Sequence, residues 1–242
     1  METIQSKIDL RKKIVTDIAI KKNISNLKAQ VVLVLDYSGS MDLLYKNGFV
    51  QRLIERLVPL AMQFDDNGEM ELYMFENDIQ KHKNNVTVKN VDNIIKREIT
   101  GNYKFGGTEY APAINKMVED YCTVKETKRS FFSFGKKETP VLSKDPVYVI
   151  FITDGDNSDH KASEDAIKKA SKNSIFFQFV GIGNASFKFL KSLDEMSDRY
   201  IDNANFFQAN DLEKMTDDEL YNAMLNEFPS WIELAKQKLI LA

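Results

Sequence analysis

The sequence Val31-Val32-Leu33-Val34-Leu35-Asp36-Tyr37-Ser38-Gly39-Ser40-Met41 joins an unbroken apolar run to a cluster of oxygen-bearing side chains. Branched apolar residues in succession read as a strand buried on both faces, as in a parallel sheet covered by helices. That strand is expected from about Gln30 to Asp36. Two hydroxyls follow at alternate positions, and Gly39 between them is expected to let the backbone turn tightly. A carboxylate and two hydroxyls at a strand mouth offer only oxygen, the ligand chemistry of a hard cation such as Mg²⁺. A strand followed by an ordinary Ser/Gly turn would leave the same local pattern, so the choice depends on segments elsewhere.

Two such segments exist. Pro146-Val147-Tyr148-Val149-Ile150-Phe151-Ile152 is a second strongly apolar strand, and it runs into Thr153-Asp154-Gly155-Asp156. The loop from Thr100 ends in Gly106-Gly107-Thr108 and leads into a helix from about Tyr110 to Tyr121, with Pro112 in its first turn. Oxygen ligands can therefore come from Asp36, Ser38, Ser40, Thr108 and Asp154. Gly106 and Gly107 are expected to let the backbone before Thr108 approach an ion, and Gly155 to allow a sharp turn after Asp154. Two carboxylates roughly neutralise a divalent cation, and three neutral hydroxyls leave it electrophilic. Such a site would accept one more anionic oxygen, an Asp or Glu side chain from another protein.

Around these segments strands alternate with helices, which implies a parallel-rich sheet covered on both faces. Residues 3 to 22 space Ile4, Ile8, Val15 and Ile18 as an amphipathic helix with its lysines toward water. A second helix follows Asn47-Gly48, with Val50, Leu53, Ile54, Leu57 and Phe64 on its buried face. Pro59 is expected to kink or shorten it. A strand is expected at Glu69–Phe75, a weak strand at Val86–Val88 and a short helix through Val91, Ile94, Ile95 and Ile99. Further on come a helix at His160–Lys172, a strand at Ser174–Val180, a helix through Phe187, Leu190, Leu193 and Met196, and a last strand near Phe206-Phe207. Helices near Asp217–Leu225 and Ser230–Leu239 close the chain. Without an internal repeat or clean linker, residues 1–242 read as one domain. Its parts are an N-terminal helix and connector (1–28), an irregular insertion (123–145) and C-terminal helices (217–242). Ligands in such sheets gather beyond the carboxyl ends of strands, where Asp36 and Asp154 fall.

Asp36-Tyr37-Ser38-Gly39-Ser40, then Gly107-Thr108, then Asp154-Gly155 resembles the metal-ion-dependent adhesion site (MIDAS) of von Willebrand factor A (vWA) domains. Each ligand position of that motif has its residue here. The resemblance implies a Rossmann-like sheet with one short antiparallel edge strand. It also implies that Ser38, Ser40 and Thr108 approach the metal directly, while Asp36 and Asp154 act largely through waters. Finer features resemble a bacterial cytoplasmic group associated with tellurium resistance and general stress. These are Leu44-Tyr45-Lys46-Asn47-Gly48, Phe64-Asp65-Asp66-Asn67-Gly68, Gly107–Pro112, Phe151–Ser158, Phe177–Gly183 and Phe228–Trp231. The likeness covers roughly Leu27 to Trp231 and carries nothing to the N-terminal helix or to 123–145.

Net charge is −3, so no overall field favours nucleic acid or a membrane surface. A single cysteine, Cys122, rules out a disulfide framework within the chain, and no apolar run approaches the roughly 20 residues of a membrane span. A cytoplasmic location is expected. Cys122 reads as a half-buried thiol and His82 as a surface residue. Asp156, Asp159 and His160 read as ordinary loop polar groups. The basic aromatic segment Lys128–Lys137 reads as part of the irregular insertion. The functional expectation is a non-catalytic module that docks an acidic partner side chain on a divalent cation. Mg²⁺ is expected there, with Mn²⁺ or Ca²⁺ as alternatives. The rival is a Mg²⁺- or Mn²⁺-dependent phosphate-ester hydrolase, against which stands the lack of a G-x-x-x-x-G-K-[ST] loop. A metal-stabilised scaffold without a free coordination position is the third reading.

Overall fold

The computed structural model describes residues 3–122, 145–212 and 214–242. The insertion expected at 123–145, with its basic aromatic segment, lies outside the described residues apart from Asp145. In chain order the elements are α1 (Ile4–Lys21), β1 (Gln30–Asp36), α2 (Asp42–Lys46), α3 (Phe49–Phe64), β2 (Glu71–Phe75), β3 (Ile79–Lys81), α4 (Ala111–Cys122) and β4 (Val147–Thr153). They continue with α5 (His160–Ala170), β5 (Ile175–Ile182), α6 (Lys188–Asp194), β6 (Ala204–Ala209), α7 (Asp217–Met224) and α8 (Phe228–Gln237). The six strands run in the order β3-β2-β1-β4-β5-β6. β3 is antiparallel to β2, and the other pairs are parallel.

Strand periodicity divides the core. Val31, Leu33 and Leu35 face one side, where they join Ile8, Val15, Leu53, Leu57, Leu220 and Trp231 from α1, α3, α7 and α8. Val32 and Val34 face the other, with Ile114, Met117, Ile167 and Leu190 from α4, α5 and α6. Burial on both faces explains why β1 and β4 are continuously apolar rather than alternating.

α1 begins at an N-cap, Thr3, whose hydroxyl accepts from Ser6 N at 3.2 Å. Ile8, Val15, Ile18 and Ala19 are buried, while Lys7, Lys12, Lys13 and Lys21 face water. Arg11 also ties the helix to α7 through Asp217, at 3.0 Å. α3 runs unbroken past Pro59 to Phe64, so the expected shortening does not occur. A mid-helix proline costs about 3 kcal/mol, and burying Leu53, Leu57, Val58, Leu60, Ala61 and Phe64 outweighs that. The helix starts after Gly48, whose φ of +76° suits glycine.

The structure corrects three local expectations. Val86 forms only an isolated bridge with Met70, and the region from Val91 to Ile99 yields a five-residue π-helical turn at Ile95–Ile99. The antiparallel edge strand is β3, too short and polar for periodicity to reveal. His82 is buried rather than on the surface. Its Nδ1 lies 2.6 Å from the Tyr103 hydroxyl and its Nε2 3.1 Å from Glu98 Oε2. Its partners lie 16 and 21 residues away, so no local pattern marks them.

Candidate metal centre

β1 and β4 are adjacent and parallel, and their register pairs Leu35 with Ile152. Asp36 therefore lies beside Thr153 on the same face, and the Thr153 hydroxyl donates to Asp36 Oδ2 at 2.6 Å. Asp154 follows Thr153 directly. The chain leaves β1 for β2 on one side and returns as β4 on the other, so both carboxylates sit at the switch in strand order.

Asp36 is fully buried, and Oδ1 accepts from the Ser38 amide at 2.7 Å. The Ser38 and Ser40 hydroxyls are 3.1 Å apart, and Ser40 donates to Asp154 Oδ1 at 2.7 Å. Hydrogen bonds thus connect Asp36, Ser38, Ser40 and Asp154 continuously. Thr108 comes from another loop. An isolated bridge between Ser38 and Gly106, with Gly39 N donating to Gly106 O at 3.1 Å, brings that loop alongside. The Thr108 carbonyl accepts from Ser158 N at 2.9 Å and from its hydroxyl at 3.2 Å. The Thr108 side chain takes no part in the hydrogen-bond chain of the other four.

Residues 39–41 form a right-handed 3₁₀ turn, and a Cβ on Gly39 would lie 4.0 Å from its nearest neighbour, Gly106 O. Neither Gly39 nor Gly155 has positive φ, so the turns at these positions do not demand glycine. The side chains of the loop after β2 pack against Gly106 and Gly107. A Cβ on Gly106 would overlap the Glu76 carboxylate, and one on Gly107 would come 2.8 Å from Asn77 Nδ2.

Four supporting residues did not stand out in the sequence. Thr153 and Tyr45 hold Asp36, the latter by donating to its carbonyl at 2.8 Å. Tyr110 donates to Gly155 O at 2.7 Å. Asp159 is more than a loop polar group. Its carboxylate accepts from the amides of Tyr110 (2.9 Å) and Ala111 (2.8 Å), from Asn157 (2.6 Å) and from Ser163 (3.0 Å). It caps α4 and clamps the Thr108 loop to the segment after β4. Burial alone would raise its pKa, but these donors hold the carboxyl below the usual range. Asp159→Ala is expected to lower stability by about 1–2 kcal/mol, the range of a lost N-cap, read as a lower urea midpoint at unchanged slope. An unchanged midpoint would show that water replaces the carboxylate at these amides.

Asp156 and His160 pair at 2.8 Å on the surface, and the His160 ring stacks on Phe189. Cys122 is half-buried, and burial pushes its thiol up to about 11, a poor setting for a thiolate.

Burial pushes the Asp36 carboxyl up to about 6, despite hydrogen bonds from Ser38 and Thr153 that favour the charged form; Asp154 adds repulsion. Asp154 is raised too, chiefly by burial. Among the described residues, no ion pair involves either carboxylate. Two desolvated carboxylates beside aligned hydroxyls form a donor set that fits a hard divalent cation. Among the described residues no group of three or more His, Cys, Asp or Glu is placed to hold a metal, so a site here depends on hydroxyl oxygens.

The raised carboxyls predict pH dependence. Asp36 and Asp194 titrate near 6 and Glu227 near 7 in the folded state, all raised by burial above their unfolded values. The folded chain then binds more protons than the unfolded one between about pH 4 and 7, so metal-free stability falls as pH rises through that window. A cation must displace the Asp36 proton, so metal-induced stabilisation falls as pH drops below 6. From pH 8 to 5.5 the metal-free melting temperature is expected to rise while the increment from fixed Mg²⁺ shrinks. Parallel rather than opposite trends would remove Asp36 from the site.

Comparison with known proteins places this geometry in context. The family model described as "vWA-TerF-like: vWA found in TerF C terminus" matches residues 28–241. The Bacillus subtilis (strain 168) protein YcbR is 39% identical over 234 residues, covering 96% of this chain and 88% of that protein. Proximal thread matrix protein 1 from the mussel byssus aligns with TM-score 0.52 at 15% identity, over 86% of this chain and 48% of that one. A form of it described as having a zinc-occupied MIDAS motif aligns with TM-score 0.51 at 16% identity, over 86% and 48%. Manganese-loaded TRAP protein of Plasmodium vivax aligns with TM-score 0.52 at 15% identity, over 85% and 74%. The chain spans about half the length of the mussel chains it matches. At these identities the solved structures show a shared fold.

Proposed function

This chain belongs to the vWA-TerF-like family, and from that premise we propose that it is a non-catalytic interaction module whose metal site docks an acidic side chain of a partner protein. Members of the wider vWA family often act as metal-dependent protein-interaction modules. In this reading Asp36, Ser38, Ser40, Thr108 and Asp154 hold one divalent cation, most simply Mg²⁺. The zinc and manganese described for the mussel and Plasmodium proteins favour a divalent ion without choosing which. The observation that carries the reading is the hydrogen-bonded chain from buried Asp36 through Ser38 and Ser40 to Asp154.

The chemistry follows from charge. Two carboxylates balance the cation, and neutral hydroxyls fill further positions. Ser40 is exposed and Asp154 half-buried, so the site faces solvent on one side. A partner carboxylate arriving there gains Coulomb energy in a partly desolvated setting. On the motif resemblance, the reading extends to a bacterial tellurium-resistance or stress system in the cytoplasm. No helix among the described residues is long and apolar enough to cross a membrane.

The test is capture of partner proteins on immobilised chain in Mg²⁺ and in EDTA, with Asp36→Ala as control. Metal-dependent retention lost in the variant is expected. The hydrolase alternative is tested with generic phosphate esters and Mg²⁺ or Mn²⁺, and turnover abolished by Asp36→Ala would replace the docking reading.

A further inference from the structure

Two exposed large apolar side chains belong to segments that carry candidate ligands. Leu43, 69% exposed, lies three residues after Ser40, and Phe105, 40% exposed, three before Thr108. The Phe105 ring lies flat on Tyr37, with centroids 4.2 Å apart and planes 3° from parallel. Tyr37 stands between Asp36 and Ser38, and Tyr45 meets its edge at 4.9 Å. Backbone bonds lock the two segments together: Gly39 N donates to Gly106 O, and Gly106 N donates to Tyr37 O at 3.3 Å. The aromatic stack therefore shares a framework with Ser38 and Ser40.

This stack forms one wall of a cleft of about 410 Å³, which Tyr45, Ile95, Gln51 and Lys96 also line. That is near the lower end of the 300–1,000 Å³ range of ligand pockets. The charged residues around it are Asp42, Lys46 and Lys96. Asp42 and Lys46 pair with each other at 2.6 Å. Exposed Lys96 has no ion-pair partner among the described residues, so the rim carries an uncompensated positive charge. An apolar cleft with a cationic rim beside a candidate cation site selects against basic and for acidic partners. Its ring wall favours an aromatic side chain, because aromatic pairs gain about 0.5–1.5 kcal/mol beyond burial.

We infer that the Tyr37–Phe105 cleft is a second contact point for the partner, and that it takes an aromatic side chain close in sequence to the acid that reaches the metal. The inference rests on the docking function proposed above. Tyr37 borders both places, so the spacing is about one to three residues of extended chain at about 3.3 Å each. The partner is thus a short acidic-aromatic segment of a protein.

The probe is a set of labelled, otherwise Gly/Ser decapeptides with one Asp. Each carries Trp one, two or three positions after the Asp, or Gly throughout, with Asn-for-Asp controls. Fluorescence polarisation in Mg²⁺ is expected to show at least one Trp peptide binding about tenfold tighter than the Gly peptide, a difference of about 1.4 kcal/mol. Phe105→Ala should remove most of that advantage and Lys96→Glu should weaken the Asp peptides with and without Trp alike, each while keeping the metal-induced rise in melting temperature. Equal binding of all the Asp peptides, or none, with the metal-induced rise intact, overturns the cleft and leaves the metal reading standing. A Trp advantage that survives EDTA and Asn substitution overturns the two-point contact. Loss of the metal-induced rise in wild type removes the metal reading beneath both.

Discussion

Excess Mg²⁺ is expected to raise the melting temperature of the wild-type protein by about 5–10 °C, and Asp36→Ala to abolish that rise. Only the folded chain brings Asp36 and Asp154 together from strands separated in sequence, so a cation that binds there stabilises by linkage. At a hundred times its dissociation constant it contributes about 2.7 kcal/mol. For a chain of this size each kcal/mol shifts the midpoint by about 2–4 °C. The metal-free protein should stay folded, because its core is large and apolar on both sides of the sheet.

Asp36→Asn sharpens the experiment. Burial raises the Asp36 pKa to about 6, so at pH 7.5 the metal-free fold holds a charge that destabilises it. The amide removes that charge, its oxygen can still accept from the Ser38 amide, and its NH₂ can donate to the Thr153 hydroxyl once that hydroxyl turns to accept. Its metal-free melting temperature should match or exceed that of wild type, while its response to Mg²⁺ disappears. The two proteins then cross in stability as metal is added. A wild type that does not respond to excess Mg²⁺ or Mn²⁺, or an Asp36→Ala protein that still responds, would falsify the site.

The part of this architecture legible from sequence is the part that repeats a simple period. β1 and β4 announce themselves because both their faces are buried. The end of each run marks the mouth of the sheet, so Asp36 and Asp154 could be paired before any geometry was known. The strand face shared by Asp36 and Thr153 follows from the same period, yet depends on a register that one strand alone does not reveal. Other features rest on distant contacts. β3 is three residues held by its neighbour, and His82 is buried through residues of another loop. Asp159 is a loop carboxylate in sequence and a helix cap in space, because its partners at Tyr110 and Ala111 are 49 and 48 residues away. Gly39 shows the opposite error. Glycine suggested a tight turn that needs its freedom, and the chain does turn tightly there, but as a right-handed 3₁₀ turn open to other residues. Gly106 and Gly107 lie against the side chains of Glu76 and Asn77, which sequence proximity does not disclose.

Thr108→Ala is expected to keep part of the metal-induced rise in melting temperature but lose metal-dependent capture of partners. Its loop is anchored independently of its side chain: the Thr108 carbonyl is held by Ser158, and the following amides at Tyr110 and Ala111 by Asp159. Removing the hydroxyl therefore leaves the backbone in place. Asp36, Ser38, Ser40 and Asp154 remain linked without Thr108 and in the proposed site would still hold a cation, though more weakly for the lost oxygen. What changes is the charge felt by an incoming acid. In the proposed site an engaged Thr108 would put a neutral hydroxyl where a carboxylate could otherwise bind, and more positive potential would remain for the partner. Without it, the two carboxylates would carry more of the coordination and the open position would attract an anion less strongly. Melting curves and capture in Mg²⁺ and EDTA on one preparation separate the two effects. Thr108→Ala protein that retains its partners in Mg²⁺ and releases them in EDTA, as wild type does, would show that the hydroxyl has no such control. Equal capture with and without metal, in wild type as well, would reject metal bridging and turn attention to the basic aromatic segment at Lys128–Lys137.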